Sequence, residues 1–546
     1  MKNPIYLVFF LFFIACKEQT IQEKFKQHIS YLASDELEGR EAGTDAEKKA
    51  AQYVATEFKN IGLEPKGTDG FFQEFDFIMG KTFGENSVTF EDSNLAIDKD
   101  FYPLNYSANG SASGNIVNAG FGIEASDVGY NDYEDLGDIT GKVVQFSVSS
   151  PDGIHPHSKY LDYHNVRSRV KNAESKGAIA VILINDDENA SDPKKDYTEK
   201  MARVGIPVIF VINKEKLTGE NVSIVVEMNE DERIAKNVIG FIDNESDNIV
   251  VFGAHFDHLG YGKNGGSLYR GDEDMIHNGA DDNASGTSML IELSRAIKNS
   301  ELNNSNYLFI AFSGEEKGLL GANYYTKNAT IDLTTVNYMI NMDMVGRLDS
   351  ADYKLAINGV GTSPSWEILE SLVEPPLSIV TSESGVGPSD HTSFYLSDIP
   401  VLHFFTGTHE NYHKPSDDEP LINYEGMEMV YNYIVKITNA LNSSEKLAFT
   451  KTKDSDSRSA PRFNVTLGIV PDYMYNETGV RVDGVSDGKP ASVAGIQKGD
   501  IVLQLGDYAI DDLYGYMEAL SKIKKGDLLK ASVKRGDVSL TLDVQF

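Results

Sequence analysis

Imidazoles and carboxylates recur at the ends of apolar runs between residues 249 and 413. "NIVVFGAHFDHLG" ends its apolar stretch on His255, with Asp257 two positions on, and "YLFIAFSGEE" ends on the adjacent pair Glu315 and Glu316. "VNYMINMD" ends on Asp343, and "IPVLHFF" runs on into "TGTHENYHKPSDD", which holds His409 and His413. Asp281 and Asp282 stand in "NGADDNASG", just ahead of a predicted helix near Ser285. Imidazole nitrogen and carboxylate oxygen are donors that zinc accepts. Ligands of open α/β sheets sit beyond the carboxyl ends of the strands. Taken singly, each residue reads as an ordinary satisfied histidine or a helix cap. In this order they form the pattern a metal site would leave.

A chain of 546 residues divides into several domains, and the texture of the sequence changes along it. Residues 16–107 contain a predicted helix, with a capping box at Thr44 and Glu47. Ala50, Val54 and Phe58 share one of its faces, and Gly62 can end it. Residues 108–232 hold short strand-like runs ("GKVVQFSV", "AIAVILIND", "IPVIFVI") around one helical piece, "RSRVKNAESKG", and no catalytic cluster. Over 233–447 buried apolar runs alternate with amphipathic helices. That alternation predicts an α/β fold: a mixed, mostly parallel sheet flanked by helices. A polar linker over 448–460 precedes a strand-rich module, 461–546, with a predicted helix in "DDLYGYMEALSKI".

The order His-x-Asp, Gly-Ala-Asp-Asp-Asn-Ala-Ser-Gly, Glu-Glu, Met-Asp-Met and a late His resembles the co-catalytic di-zinc exopeptidases. That family includes bacterial aminopeptidases, glutamate carboxypeptidase and glutaminyl cyclases. The resemblance covers 21–107 and 233–447 and implies the zinc exopeptidase fold. It also implies two Zn2+ ions bridged by Asp282, one also held by His255 and Asp343, the other by Glu316 and His413. Glu315 would be the general base of a metal-assisted amide hydrolysis. Three carboxylates and a shared hydroxide would offset most of the charge of two zinc ions. Asp257 is expected to orient His255, and Asp390 and His391 of "SDHTSF" to support the ligands or line the pocket.

Residues 108–232 resemble a protease-associated (PA) domain, through "GDITGKVV" and "GIPVIFV". Residues 461–546 resemble a PDZ domain, through "VTLGIVPD" and "GVRVDGVSDGKPASVAGIQKGDIVLQLGD", which makes a strand-adding peptide its expected ligand. The expected activity is that of an aminopeptidase on peptide substrates. A carboxypeptidase or glutaminyl cyclase on the same cage is one alternative, and a non-catalytic peptide-binding protein is another.

Other motifs compete. "HENYH" (409–413) fits the single-zinc H-E-x-x-H pattern, which needs a helix to bring both imidazoles to one face. Gly407, Pro415 and the missing apolar period argue against that helix. "GVSDG" (484–488) fits the serine-hydrolase elbow but lacks its strand–turn–helix setting, and reads as a turn. His258 reads as structural, and "HPH" (155–157) as a solvated loop.

A formal net charge of -34 argues against nucleic acid as a partner, because a phosphate backbone is bound through a basic surface. Residues 1–15 read as a signal peptide, whose apolar core from Ile5 to Ala15 is too short to span a bilayer. Ala15 before Cys16 resembles a bacterial lipobox. The chain is therefore expected to be a lipoprotein of the cell envelope, or secreted, touching membrane only through an anchor at Cys16. Cys16 is the single cysteine, which excludes an intrachain disulfide and leaves no thiolate for a metal in the mature fold.

Overall fold

The computed structural model describes residues 19–90, 93–155, 157–195, 197, 203–271, 273–452, 465–471, 475, 477–485, 488–510 and 513–546. The expected signal peptide, Cys16 and most of the expected linker lie outside them. A nine-stranded mixed sheet positions the candidate ligands. Its order is Glu64–Pro65, Met228–Ile242, Asn306–Phe312, Ile249–His255, Val336–Met342, Val401–Phe405, Lys354–Asn358 and Ser378–Ser382, with Phe72–Phe83 also paired to Met228–Ile242. The four central strands, from Asn306–Phe312 to Val401–Phe405, run parallel.

Every residue of those four strands is buried. Continuous apolar runs arise where helices cover both faces of a sheet. On one face Phe252, Phe309 and Ile340 meet Phe25, Val54, Leu290 and Ile434 from four helices: Ile21–Leu32, Asp45–Ile61, Gly286–Lys298 and Tyr424–Leu441. On the other, Val251, Ile310 and Met339 meet Tyr325 and Phe394. Each large apolar side chain so buried contributes about 1.5–3 kcal/mol. The strand ends are thus held by a sheet buried on both faces.

The helix Asp45–Ile61 starts and stops where the sequence predicts. Thr44 Oγ1 accepts from Glu47 N at 3.2 Å, and Gly62 closes the helix in a left-handed conformation. Only half of the capping box forms. The Glu47 carboxylate is buried and accepts instead from Lys236 N at 3.3 Å, docking the first turn on the strand Met228–Ile242.

The inserted unit is built on an eight-stranded sheet around the parallel strands Val143–Ser147, Ala180–Ile184 and Val208–Val211, with the predicted helix at Val166–Ser175. This sheet also takes Ser87–Phe90, Asn94–Leu95 and Phe101–Pro103, strands that precede residue 108. Strands of two to four residues are too short to show a period in sequence. The boundary expected at 233 falls inside Met228–Ile242, one arm of a ribbon linking the two sheets. The C-terminal module is a six-stranded sheet with Ile469–Pro471 at one edge and a helix at Leu513–Lys522. Among the described residues no helix is long and apolar enough to cross a membrane.

Candidate metal centre

The carboxyl ends of the four parallel strands converge, and a turn at Ala280–Ser285 is stitched to one of them. Asn283 Oδ1 accepts from Gly286 N at 2.9 Å and Met344 N at 3.1 Å, and its Nδ2 donates to Met342 O at 3.1 Å. These bonds set Asp282 beside Asp343. Asp281 Oδ1 accepts from Gly346 N at 2.6 Å, so that acid holds the loop after Asp343. Asp417 Oδ2 accepts the amides of Asp281 and Asp282 at 3.0 and 3.1 Å.

Asp282 faces two imidazoles with its two oxygens. Oδ1 lies 3.4 Å from His255 Nε2, and Oδ2 lies 3.1 Å from His413 Nε2. His255 Nε2 is also 3.3 Å from Asp343 Oδ1, and His413 Nε2 is 3.3 Å from Glu316 Oε2. Both rings are fixed from behind: His255 Nδ1 donates to Asp257 O at 3.2 Å, and His413 Nδ1 to Gly266 O at 2.8 Å. With the proton held on Nδ1, each Nε2 turns a lone pair toward carboxylates. That contact needs a cation or a second proton between the groups. Tetrahedral zinc with bonds of about 2.0–2.1 Å spaces neighbouring donor atoms about 3.3 Å apart, which the four distances match. The residues fit zinc.

The same carboxylates favour the charged form of both rings. Burial disfavours the charged ring of His255, but Asp343, Glu315 and Asp282 outweigh it and hold that imidazole well above its ordinary range. Burial likewise opposes the charge on His413, and Glu316 and Asp282 push it up to about 9.

The two glutamates separate. Glu316 points one oxygen at His413 and the other at His258, whose Nδ1 donates to Oε1 at 2.7 Å. A separation of 2.7 Å is a direct hydrogen bond and leaves no room for an ion between the atoms. His258 therefore orients Glu316, a role the sequence reading did not give it, and with Asp282 and Glu316 it forms a second group whose atoms lie close enough to hold a metal. Glu315 Oε2 is 3.9 Å from His255 Nε2 and belongs to neither cluster, His255–Asp282–Asp343 or His258–Asp282–Glu316, and the side chain lines a cavity bordered by Asp282 and Asp343. Burial, with Glu316 and Asp343 close by, pushes the Glu315 carboxyl well above its ordinary range against the pull of His255.

Asp257 departs from expectation. Its carbonyl orients His255, while its carboxylate stands 3.8 Å off and accepts from Glu315 N at 3.1 Å. The acid thus holds the backbone of Glu315. Asp390 and His391 are fully buried. His391 stacks at 4.4 Å on His403, which lines the cavity with Met344, Asn358, Pro388, Phe405, Thr408 and Tyr412. No signal in the sequence marked Asn358 or His403. They meet because Lys354–Asn358 runs antiparallel to Val401–Phe405.

"HENYH" forms turns, as expected, and its two imidazoles part company: His409 Nε2 lies 3.2 Å from Asp281 Oδ2, away from the pair around Asp282. His155 and His157 are exposed, and "GVSDG" lies partly outside the described residues.

Residues 237–438 match Peptidase family M28, 107–218 match the PA domain and 449–546 match the PDZ domain. Aminopeptidase YwaD of Bacillus subtilis is 26% identical over 468 residues, spanning 82% of this chain and 92% of that protein. A probable leucine aminopeptidase of Arthroderma otae is 32% identical over 174 residues, 30% of this chain and 45% of that one. Among solved structures, BSAP, a zinc aminopeptidase from Bacillus subtilis, aligns with a TM-score of 0.47 at 24% identity, covering 79% of this chain and 98% of that one.

Proposed function

Starting from a zinc metallopeptidase that carries a Peptidase family M28 domain, an inserted PA domain and a C-terminal PDZ domain, we propose that this chain removes N-terminal residues from peptides. Two zinc ions, one on His255, Asp282 and Asp343 and one on Asp282, Glu316 and His413, would acidify a water and polarise the scissile carbonyl. Glu315 takes the proton of the attacking water at its carboxylate and delivers it to the departing amine. The Asp257 carboxylate, accepting from Glu315 N, keeps the Glu315 side chain beside the donor sets rather than within them. The observation that supports a paired centre most directly is Asp282, with one oxygen toward each imidazole Nε2.

The lining of the cavity favours the amino end of a peptide. Among the described residues no Lys or Arg borders it to receive a terminal carboxylate. Met344, Phe405 and Tyr412 offer an apolar wall for the leading side chain. A peptide-library digest with and without a chelator, read by mass spectrometry, should show stepwise N-terminal loss that the chelator stops. C-terminal loss or pyroglutamate formation would redirect the reading, and untouched peptides would leave a binding protein.

The same proposal places the chain outside the cytoplasm, anchored through a lipidated Cys16, on the strength of "MKNPIYLVFFLFFIAC". A Cys16→Ser chain is expected to move from the membrane fraction to the soluble fraction. Its retention in the membrane would count against the anchor. The PDZ-like module is proposed to take an extended peptide along its edge strand Ile469–Pro471.

A further inference from the structure

Arg40 lies in the turn region after the helix Ile21–Leu32, far in sequence from the metal-binding residues, and is fully buried. Among the described residues its guanidinium forms no ion pair within 4 Å, and its hydrogen bonds go to main-chain carbonyls. Nε donates to Phe256 O at 2.7 Å, Nη1 to Asn278 O at 2.7 Å and to Leu32 O, and Nη2 to Gly279 O at 3.0 Å. Phe256 sits between His255 and Asp257, while Asn278 and Gly279 lead into Asp281 and Asp282. The main chain of Arg40 joins in, its carbonyl accepting from His258 N at 3.2 Å.

The backbone around it is shaped for this contact. A Cβ on Gly39 would lie 2.4 Å from His277 O and 2.7 Å from Gly260 O, so only glycine lets the turn pass between those loops. A Cβ on Gly279 would lie 2.1 Å from Asp282 O. Burying a guanidinium without a touching counter-ion is costly. Charge-assisted bonds in a fixed fork offset that cost, as does the field of Asp257, Asp282, Asp417 and Glu316 nearby.

We propose that Arg40 is a positioning residue for the metal centre. Its fan of main-chain hydrogen bonds sets the distance between the strand end at His255–Asp257 and the turn at Asp281–Asp282, so that Asp282 meets both imidazoles before any ion arrives. This rests on the zinc metallopeptidase reading above. A lysine keeps the charge but places its donors at a single point and cannot span the three segments.

The test uses the full chain, with zinc affinity measured by chelator competition and coordination read from the absorption bands of the cobalt(II)-loaded protein. Arg40→Lys is expected to weaken zinc binding about 10–100-fold, the range for removing a group that orients ligands, and to alter the cobalt bands. Leu32→Ala opens a cavity at the same place but leaves every Arg40 bond, so it should lower the melting temperature with affinity and cobalt bands unchanged. Unchanged affinity in Arg40→Lys, or a parallel loss of melting temperature and affinity in both variants, overturns the proposal. If metal-free Arg40→Lys is unfolded, cobalt bands of the metal-refolded variant that differ from those of the unsubstituted chain support it. Identical bands, or no refolding at saturating metal, overturn it. An unsubstituted chain that binds no zinc would instead sink the metallopeptidase reading itself.

Discussion

Glu315→Gln is expected to lower kcat by roughly 10^2–10^4-fold, the usual contribution of a positioned general base, while zinc content stays that of the unsubstituted chain. Glutamine matches the shape of glutamate and can still accept the hydrogen bonds around it, but it cannot take a proton from water. Its amide would stand where the Glu315 carboxylate lines the cavity, outside the clusters His255–Asp282–Asp343 and His258–Asp282–Glu316. Metal analysis beside steady-state kinetics separates the two effects. Zinc loss equal to that of Glu316→Ala would make Glu315 a ligand and remove it as the base. Glu410→Gln supplies the contrast, and kcat should be unchanged there. The single-zinc alternative requires the reverse pair of results, and "HENYH" forms turns whose imidazoles face different acids.

Asp282→Ala is expected to empty both halves of the centre together. One carboxylate supplies an oxygen to each half, at 3.4 Å from His255 Nε2 and 3.1 Å from His413 Nε2, so its loss strips each half of a donor. Metal polarisation is worth several kcal/mol in the transition state, and kcat/KM should fall by on the order of 10^3–10^5-fold at 1.36 kcal/mol per decade. The metal-free chain should suffer as well. His255 is then left buried without Asp282 beside it, and breaking such a buried pair costs about 3–5 kcal/mol. Elemental analysis after dialysis, with melting curves in chelator, checks both parts. Retention of one zinc at undiminished affinity would show that Asp282 does not bridge. Asp343→Ala should leave the half built on Glu316 and His413 with its donors.

The candidate donors His255, Glu316 and Asp343 were legible because they follow long apolar runs. Such runs declare buried parallel strands, and strands of similar length laid side by side bring their last residues to one level. The helix at Asp45–Ile61 was legible from Thr44 and Gly62 for an equally local reason. The inserted sheet was read only in part, because Ser87–Phe90, Asn94–Leu95 and Phe101–Pro103 are too brief to show a period. His258 looked structural because its partner, Glu316, is 58 residues away in sequence.

The sequence by itself determined which donor atoms exist, their order, and the strand ends that present them. It also set apart the two flanking modules by a change of texture. The tertiary structure alone decided which oxygen faces which nitrogen. Gly266 O and Asp257 O fix the tautomers of His413 and His255, His258 takes one oxygen of Glu316, and the Asp257 carboxylate goes to Glu315 N. Arg40 reaches Phe256, Asn278 and Gly279 through carbonyls. The reason is physical: every residue carries the same carbonyl, so a contact made to one has no signature in the sequence. Such contacts depend on the packing of loops that are brought together only when the sheet has formed.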